Sequence, residues 1–318
     1  MKTAFVFPGQ GAQFVGMGRE LAANYKEADE IFKRANESLG FDIEKLCFEG
    51  PEEELRKTEI TQPSILTVSI AALKVLENQG IFPDIVAGLS LGEYSALVSA
   101  GVISFEDALP LVQKRGRFMQ EAVPEGRGAM AAIIGLDKSK INKICKKGVV
   151  EVSNFNCPNQ IVIAGEVKAV KSAMTAAKEL GARSTVELNV SAPFHTSLLE
   201  PAGEKLFFEL NKIPFNAPKI PFISNVTGDY VSDPEEIKTY LKKQVSSPVL
   251  WEDTVRRMIR DGVKLFIEVG LGKTLSSFIK KIDKKSTVVH IEDPETFEKV
   301  KHVYREVTTC SNYQGELH

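Results

Sequence analysis

Ser90 stands in Gly88-Leu89-Ser90-Leu91-Gly92, a G-x-S-x-G pattern that sets a serine on a sharp strand-to-helix turn with its hydroxyl facing substrate. Five residues with two glycines recur by chance, so the flanks decide. Ile85-Val86-Ala87 reads as a buried parallel strand, and Leu91 to Ala100 reads as a helix. The glycines leave room around a strained serine backbone, and the positive end of the helix faces charge developing on a substrate. The plain alternative is a tight turn without chemistry. A serine nucleophile needs a base, and the chain holds only His195, His290, His302 and His318. His318 ends the chain, His302 sits in a charged helical stretch, and His290 ends a short strand. His195 is left as the candidate base, with a merely structural imidazole as the alternative. No Asp or Glu is singled out by position as its orienting acid, and a backbone carbonyl is able to do that work.

The elements that must position these groups alternate along the chain. A strand over Thr3–Phe7 leads through Gly9-Gln10-Gly11-Ala12-Gln13 into a helix over 18–38. A helix over Thr61–Asn78 carries Ile65, Val68, Ala72, Val75 and Leu76 at helical spacing, with Pro63 in its first turn. From Gly128 the order becomes strand, helix, strand, strand, helix, strand, ending near Val190: the βαββαβ signature of a ferredoxin-like unit. Residues 127–193 are therefore the expected inserted small domain, between large-domain segments 1–126 and 194–318. His195 falls where the small domain hands back to the large one, and such junctions commonly host active sites. Strands near Phe222-Ile223 and over Leu265–Val269, with helices over 234–243 and 251–261, should complete the first sheet. The polar tail from Thr308 is expected to fray.

With 318 residues, 43% apolar and 26% charged, the chain has ordinary globular composition and room for two cores. Forty basic and forty-two acidic residues leave a net charge of -2, which gives no global pull toward nucleic acid or membrane. Cys47, Cys145, Cys157 and Cys310 are widely separated, without a C-x-x-C pair, and read as reduced thiols. No run approaches the ~20 apolar residues that span a bilayer, and no secretory segment opens the sequence. A cytoplasmic location is the expectation. Gly270-Leu271-Gly272-Lys273-Thr274 lacks the first glycine of a phosphate loop, since Ile267 stands there, and reads as a strand-to-helix turn. Phe14 occupies the third glycine's place in the 9–18 loop, which argues against a dinucleotide site. Lys280-Lys281 and Lys284-Lys285 are either a solvated face or a landing place for an acidic partner.

Beyond the elbow, Phe7-Pro8-Gly9-Gln10-Gly11-Ala12-Gln13, Gly92-Glu93-Tyr94-Ser95-Ala96-Leu97, Lys114-Arg115-Gly116, Asn154-Phe155-Asn156, Ala192-Pro193-Phe194-His195 and the stretch from Gln244 to Trp251 occur in one order. That order resembles the malonyl-CoA:acyl-carrier-protein transacylases over residues 1 to about 306. The resemblance implies an α/β fold: an α/β-hydrolase-like core with a mainly parallel sheet and a ferredoxin-like insert. It further implies Ser90 as nucleophile, His195 as base and the main-chain carbonyl of Gln244 as the group that orients the imidazole. Gln10 and Leu91 would supply oxyanion-hole N–H groups, and Arg115 would grip the malonyl carboxylate. Taken alone, Lys114-Arg115-Gly116-Arg117 reads more simply as the exposed end of a helix. Phe194 beside His195 matches selectors of malonyl over branched malonyl.

The implied reaction moves malonyl from coenzyme A, through a Ser90 ester, to the phosphopantetheine thiol of an acyl carrier protein. It supplies extender units for fatty-acid synthesis, in ping-pong fashion. It implies no metal and no cofactor, because the thioester arrives activated; malonyl-CoA and the carrier protein are the partners, and a monomer is the default. Rival readings are a free-standing acyltransferase or acyl-thioester hydrolase of a polyketide pathway, and a carrier-binding protein that has lost turnover. A buried arginine facing Ser90 favours a carboxylated acyl group, whereas an apolar tunnel favours long-chain hydrolysis. The family usually has His before the nucleophile, where this chain has Leu89. That departure bears on packing and acyl preference and leaves the Ser–His pair untouched.

Overall fold

The computed structural model describes residues 2–124, 126–146, 148–190 and 192–315, with side chains as far as Thr308. Strands β1 (Lys2–Phe7), β2 (Ile85–Gly88), β7 (Val263–Val269) and β8 (Thr287–Ile291) form a sheet in the order β2-β1-β7-β8. All three pairings in it are parallel. Parallel neighbours need crossovers that cover both faces, which is why β1 and β2 are almost unbroken apolar runs. The helix Thr58–Asn78 lies in the main core with Ile65, Val68, Ala72, Val75 and Leu76 all buried.

A second sheet contains β3 (Gly128–Ile134), β4 (Val150–Cys157), β5 (Gln160–Glu166) and β6 (Ser184–Glu187) in the order β4-β5-β3-β6. Its pairings are all antiparallel. Helices Lys138–Ile144 and Val167–Glu179 complete the βαββαβ order. Ala131, Ile133, Ile141, Ile163 and Val170 pack into an apolar cluster drawn from this segment alone. The second sheet is tied to the rest of the chain by an isolated bridge between Asn154 of β4 and Val249, in the segment before the helix Trp251–Arg260. There Phe155 N–H donates to Val249 O at 2.9 Å, and Val249 N–H donates to Ser153 O at 2.9 Å.

Four expectations need correction. The helix over 18–38 is two helices, Arg19–Asn24 and Lys26–Leu39, because Tyr25 between them is extended at φ -131°. The helix of residues 61–78 begins earlier, at Thr58, so Pro63 lies inside it rather than in its first turn. Around the proline, the side chains of Ser64 and Thr67 donate to the carbonyls of Ile60 and Pro63, each at 2.8 Å. Phe222 makes only an isolated parallel bridge to Val86, so this segment is a single rung at the sheet edge and not a full strand. The tail from Thr308 is not without regular structure: the last helix runs from Pro294 to Gly315. His318 lies outside the described residues. The 270–274 segment is the strand-to-helix turn expected, between β7 and the helix Thr274–Ile282.

The bend at Ser90 requires its glycines for reasons of space. A Cβ on Gly88 would stand 2.0 Å from the carbonyl carbon and oxygen of Gly92, and one on Gly92 would stand 2.1 Å from Phe7 O. Backbone faces backbone at both places, so neither side yields. Gly92→Ala is expected to lower unfolding stability by about 2–3 kcal/mol through this overpacking. Denaturant unfolding measures it, and wild-type stability in the variant would show that the end of β1 and the elbow are farther apart.

Candidate active site

Three distant segments converge on Ser90. β2 delivers it to the turn, where it adopts φ 53°, and the helix Gly92–Ser99 begins two residues later. His195 also has a left-handed backbone, φ 62°, and it presents Nε2 at 2.7 Å from Ser90 Oγ. Two non-glycine residues in this uncommon region, in mutual contact, are the kind of strain that collects at functional sites. Gln244, the last residue of the helix Pro234–Gln244, accepts from His195 Nδ1 through its main-chain oxygen at 2.6 Å. With Nδ1–H donated to a carbonyl, the neutral ring turns the lone pair of Nε2 toward the hydroxyl.

Arg115 joins them from the helix Phe105–Ala122. Its Nη2 donates to Ser90 Oγ at 3.2 Å and to Gln244 Oε1 at 2.9 Å, and its Nη1 donates to Gln62 Oε1 at 2.8 Å. The side chain is 1% exposed, so its simpler reading as an exposed helix end is overturned. The Arg115 guanidinium also lies over the Tyr94 ring, 5.5 Å from its centroid.

Residues 4–307 match the acyl transferase domain family. The chain belongs to that family. Among its relatives, the malonyl CoA-acyl carrier protein transacylase of Bacillus subtilis is 47% identical over 302 residues, 93% of this chain and 95% of the relative. The enzyme of the same name from Escherichia coli is 48% identical over 296 residues, 92% of this chain and 96% of the relative. A crystal structure of malonyl CoA-acyl carrier protein transacylase from Clostridium perfringens superposes with a TM-score of 0.95 at 47% identity, covering 98% of this chain and 100% of that one. A malonyl-transacylase in complex with a type II PKS acyl-carrier protein superposes with a TM-score of 0.91 at 42% identity, covering 93% and 97%.

In this acyl transferase domain, burial sets the electrostatics of the site. It depresses the His195 pKa to about 3, with the neighbouring Arg115 charge acting in the same direction and the Gln244 carbonyl opposing. Imidazolium is thus disfavoured at rest, and the ring remains a base at neutral pH. Burial likewise lowers the Arg115 pKa, opposed by Tyr94 and Glu93. The guanidinium stays protonated regardless.

Several residues of the site carry no signal in the sequence. Asn225 Oδ1 accepts from Ser90 N–H at 2.6 Å, and its Nδ2 donates to Gly88 O at 2.6 Å. The Gln244 amide donates to Ser90 O at 2.9 Å and to Glu93 Oε2. Gln62 supports Arg115 from a helix whose buried side otherwise reads as core. Glu93, three residues beyond Ser90, is 1% exposed, and an acid inside an apolar stretch is the one hint of it in the sequence.

The remaining expected residues are placed as follows. Leu91 directly follows Ser90, at the N-cap of the Gly92–Ser99 helix. Gln10 lies in the loop after β1, which presses on the elbow: a Cβ on Gly9 would stand 2.6 Å from Leu89 O. Phe194 is buried in the main core beside His195. Leu89 packs against the cluster of Ala4, Val6, Ile85 and Ala87. Lys280 and Lys281 are tied to Ser286 O and Gln160 Oε1, at 2.6 and 2.9 Å.

A depressed imidazole pKa moves the acid limb of serine reactivity down from the ordinary value near 6.5. Modification of Ser90 by an uncharged sulfonyl fluoride is expected to hold its rate through that region and fall only toward pH 3 to 4. A half-height near 6.5 in the pH–rate profile would mean that water reaches the ring.

Proposed function

We propose that this acyl transferase moves malonyl from malonyl-CoA to the phosphopantetheine thiol of an acyl carrier protein, through a malonyl ester on Ser90. The observation that carries it is Arg115: a buried guanidinium aimed at the nucleophile, with only uncharged acceptors around it. A fork of this kind grips a free carboxylate with paired hydrogen bonds. A malonyl group attached to Oγ carries its carboxylate only a few bonds away. An uncharged acyl chain would instead be forced against a desolvated cation, and for that reason a long-chain thioesterase is the poorer reading.

In the first half-reaction His195 Nε2 takes the Ser90 proton as Oγ attacks the thioester carbon. The tetrahedral oxyanion is received by the N–H groups of Gln10 and Leu91. Among the described residues, no turn or loop hydrogen bond uses either N–H, which leaves them available. Collapse breaks the C–S bond, and imidazolium returns its proton to the departing coenzyme A thiolate. In the second half the carrier's thiol gives its proton to His195 and attacks the ester, and Ser90 recovers a proton as the malonyl thioester leaves. Since the thioester is activated on arrival, these steps call for no metal or redox group.

Segment 127–193 is, in this proposal, a ferredoxin-like domain inserted into an α/β-hydrolase-like large domain of residues 1–126 and 194–318. The βαββαβ order, the strand order β4-β5-β3-β6 and the separate apolar cluster support that division. Phe194, at the return to the large domain, is proposed to limit the acyl pocket to unbranched malonyl. We assign the enzyme to the cytoplasm as a monomer serving fatty-acid synthesis; no helix of the described residues is long and apolar enough to cross a membrane. Lys284 and Lys285, exposed at the end of the Thr274–Ile282 helix, are the half of the lysine run left for an acidic carrier.

Intact mass spectrometry tests the assignment. The protein mixed with malonyl-CoA is expected to gain a malonyl adduct that Ser90→Ala abolishes and that carrier protein discharges. His195→Ala is expected to slow its formation by about 10²–10⁴-fold. An adduct formed equally well by Ser90→Ala, or rapid loss of malonate to water in place of transfer, would overturn it.

A further inference from the structure

Arg115 poses a problem of charge balance. It is 1% exposed, its acceptors Gln62, Ser90 and Gln244 are uncharged, and its Nε has no hydrogen-bond partner among the described residues. An isolated cation in such a place is costly. Glu93, itself 1% exposed, lies one side chain away and attracts the guanidinium without touching it. The amide of Gln244 fills the gap. Its Nε2 donates to Glu93 Oε2, and its Oε1 accepts from Arg115 Nη2 at 2.9 Å.

This arrangement admits one orientation only. A carboxylate only accepts and a guanidinium only donates, so an amide between them must turn its NH2 to the acid and its oxygen to the arginine. The same NH2 donates to Ser90 O at 2.9 Å. The other carboxylate oxygen of Glu93 accepts from Asn225 N–H at 3.3 Å, and Asn225 in turn holds Ser90 N–H. Glu93 thus touches neither Ser90 Oγ nor His195, yet it fixes both residues that grip the elbow. Burial pushes its carboxyl up to about 7, while donors from Gln244, Asn225 and Ser224 and the Arg115 charge draw it back.

We propose that Glu93 is a positioning residue for acyl-group selection: through the Gln244 amide it keeps Arg115 aimed at Ser90 yet without a directly bonded carboxylate. The carboxylate that completes the pair is then the one carried by the acyl group. An acid in direct contact with Arg115 would neutralise the guanidinium and compete with malonyl, whereas no acid at all would leave it unbalanced and free to turn away. This inference rests on Arg115 as the carboxylate clamp and adds what holds the clamp open.

The test compares Ser90 acylation by malonyl-CoA and acetyl-CoA in single-turnover mass spectrometry. Glu93→Gln keeps the shape but turns one of the two acceptor oxygens into an NH2, so either the Gln244 amide or the Asn225 N–H loses its acceptor. In either orientation the negative charge that balances Arg115 is gone, and the guanidinium is no longer held toward Ser90. Malonyl acylation is expected to fall about 30-fold and acetyl acylation no more than about 3-fold, as for loss of a charge-assisted hydrogen bond made to one acyl group only. Equal losses on both would make Glu93 a structural residue and overturn the inference. Arg115→Ala is run alongside. If it too loses malonyl selectively while Glu93→Gln does not, the inference about Glu93 fails alone; if Arg115→Ala keeps its preference for malonyl, the clamp itself is refuted. Should Glu93→Gln not fold, by circular dichroism, Gln244→Met decides in its place. That change removes the amide and leaves the carbonyl that holds His195, so a selective malonyl loss supports the inference and an unchanged ratio overturns it.

Discussion

Ser90 holds φ 53° because both ends of its peptide unit are gripped from outside its own strand and helix. Asn225 takes its N–H and Gln244 takes its C=O, and these partners lie 135 and 154 residues farther along the chain. The turn's own bond, from Glu93 N–H to Ser90 O at 3.1 Å, is reinforced by these two remote ones. Everything else in the site is referred to this bend. The Phe7 carbonyl closes over Gly92, the loop carrying Gln10 lies on Leu89, and the same Gln244 that fixes Ser90 also fixes His195 through its main chain. A single residue therefore sets the distance between Ser90 Oγ and His195 Nε2, which is 2.7 Å.

Desolvation is the second consequence of the packing. Ser90 stands beside a buried imidazole and a buried guanidinium, and burial moves the two in the same direction, toward their neutral forms. For His195 this is productive, because a ring that resists becoming imidazolium at rest is available to take a proton as a new negative charge develops beside it. The guanidinium cannot discard its proton, so it stays a cation with incomplete solvation. In the proposed reaction a carboxylate bound there would replace lost water with a charge-assisted pair, and the proposed preference of the site follows from that replacement.

Legibility in the sequence divides along range. The elbow is local: strand, two glycines and helix lie within about fifteen residues, and its context was readable from apolar runs. The parallel and antiparallel sheets followed from element order, and His195 from its place at a junction. The failures are matters of tertiary context. Thr58 to Ile60 extend the helix ahead of its expected start at Thr61, which puts the proline in its interior. The burial of Arg115 was invisible in a run of basic residues; only the resemblance directed attention to it. Asn225, Gln62 and Glu93 are polar residues whose roles exist only once remote segments meet, and no spacing rule connects positions so far apart. Where pattern reasoning went astray at Tyr25 and Phe222, one residue's backbone or a single bridge made the difference.

The choice of a carbonyl over an acid behind His195 has its own logic in the site proposed here. A carboxylate behind Nδ1 stabilises the imidazolium of many serine enzymes, but it also raises the pKa of the ring and places a full negative charge nearby. In this chain the group at that place is Gln244, and its side chain is bonded to Arg115. A carboxylate so close would pair with the guanidinium and occupy the fork intended for substrate. A neutral carbonyl orients the ring and leaves the cation to the incoming acyl group, while the necessary negative charge is held one residue back, at Glu93. The loss in stabilising imidazolium is tolerable, because a thiolate is a far better leaving group than the amine of a peptide and needs less help from a strong acid. Thioester chemistry and carboxylate selection thus favour the same substitution in the triad.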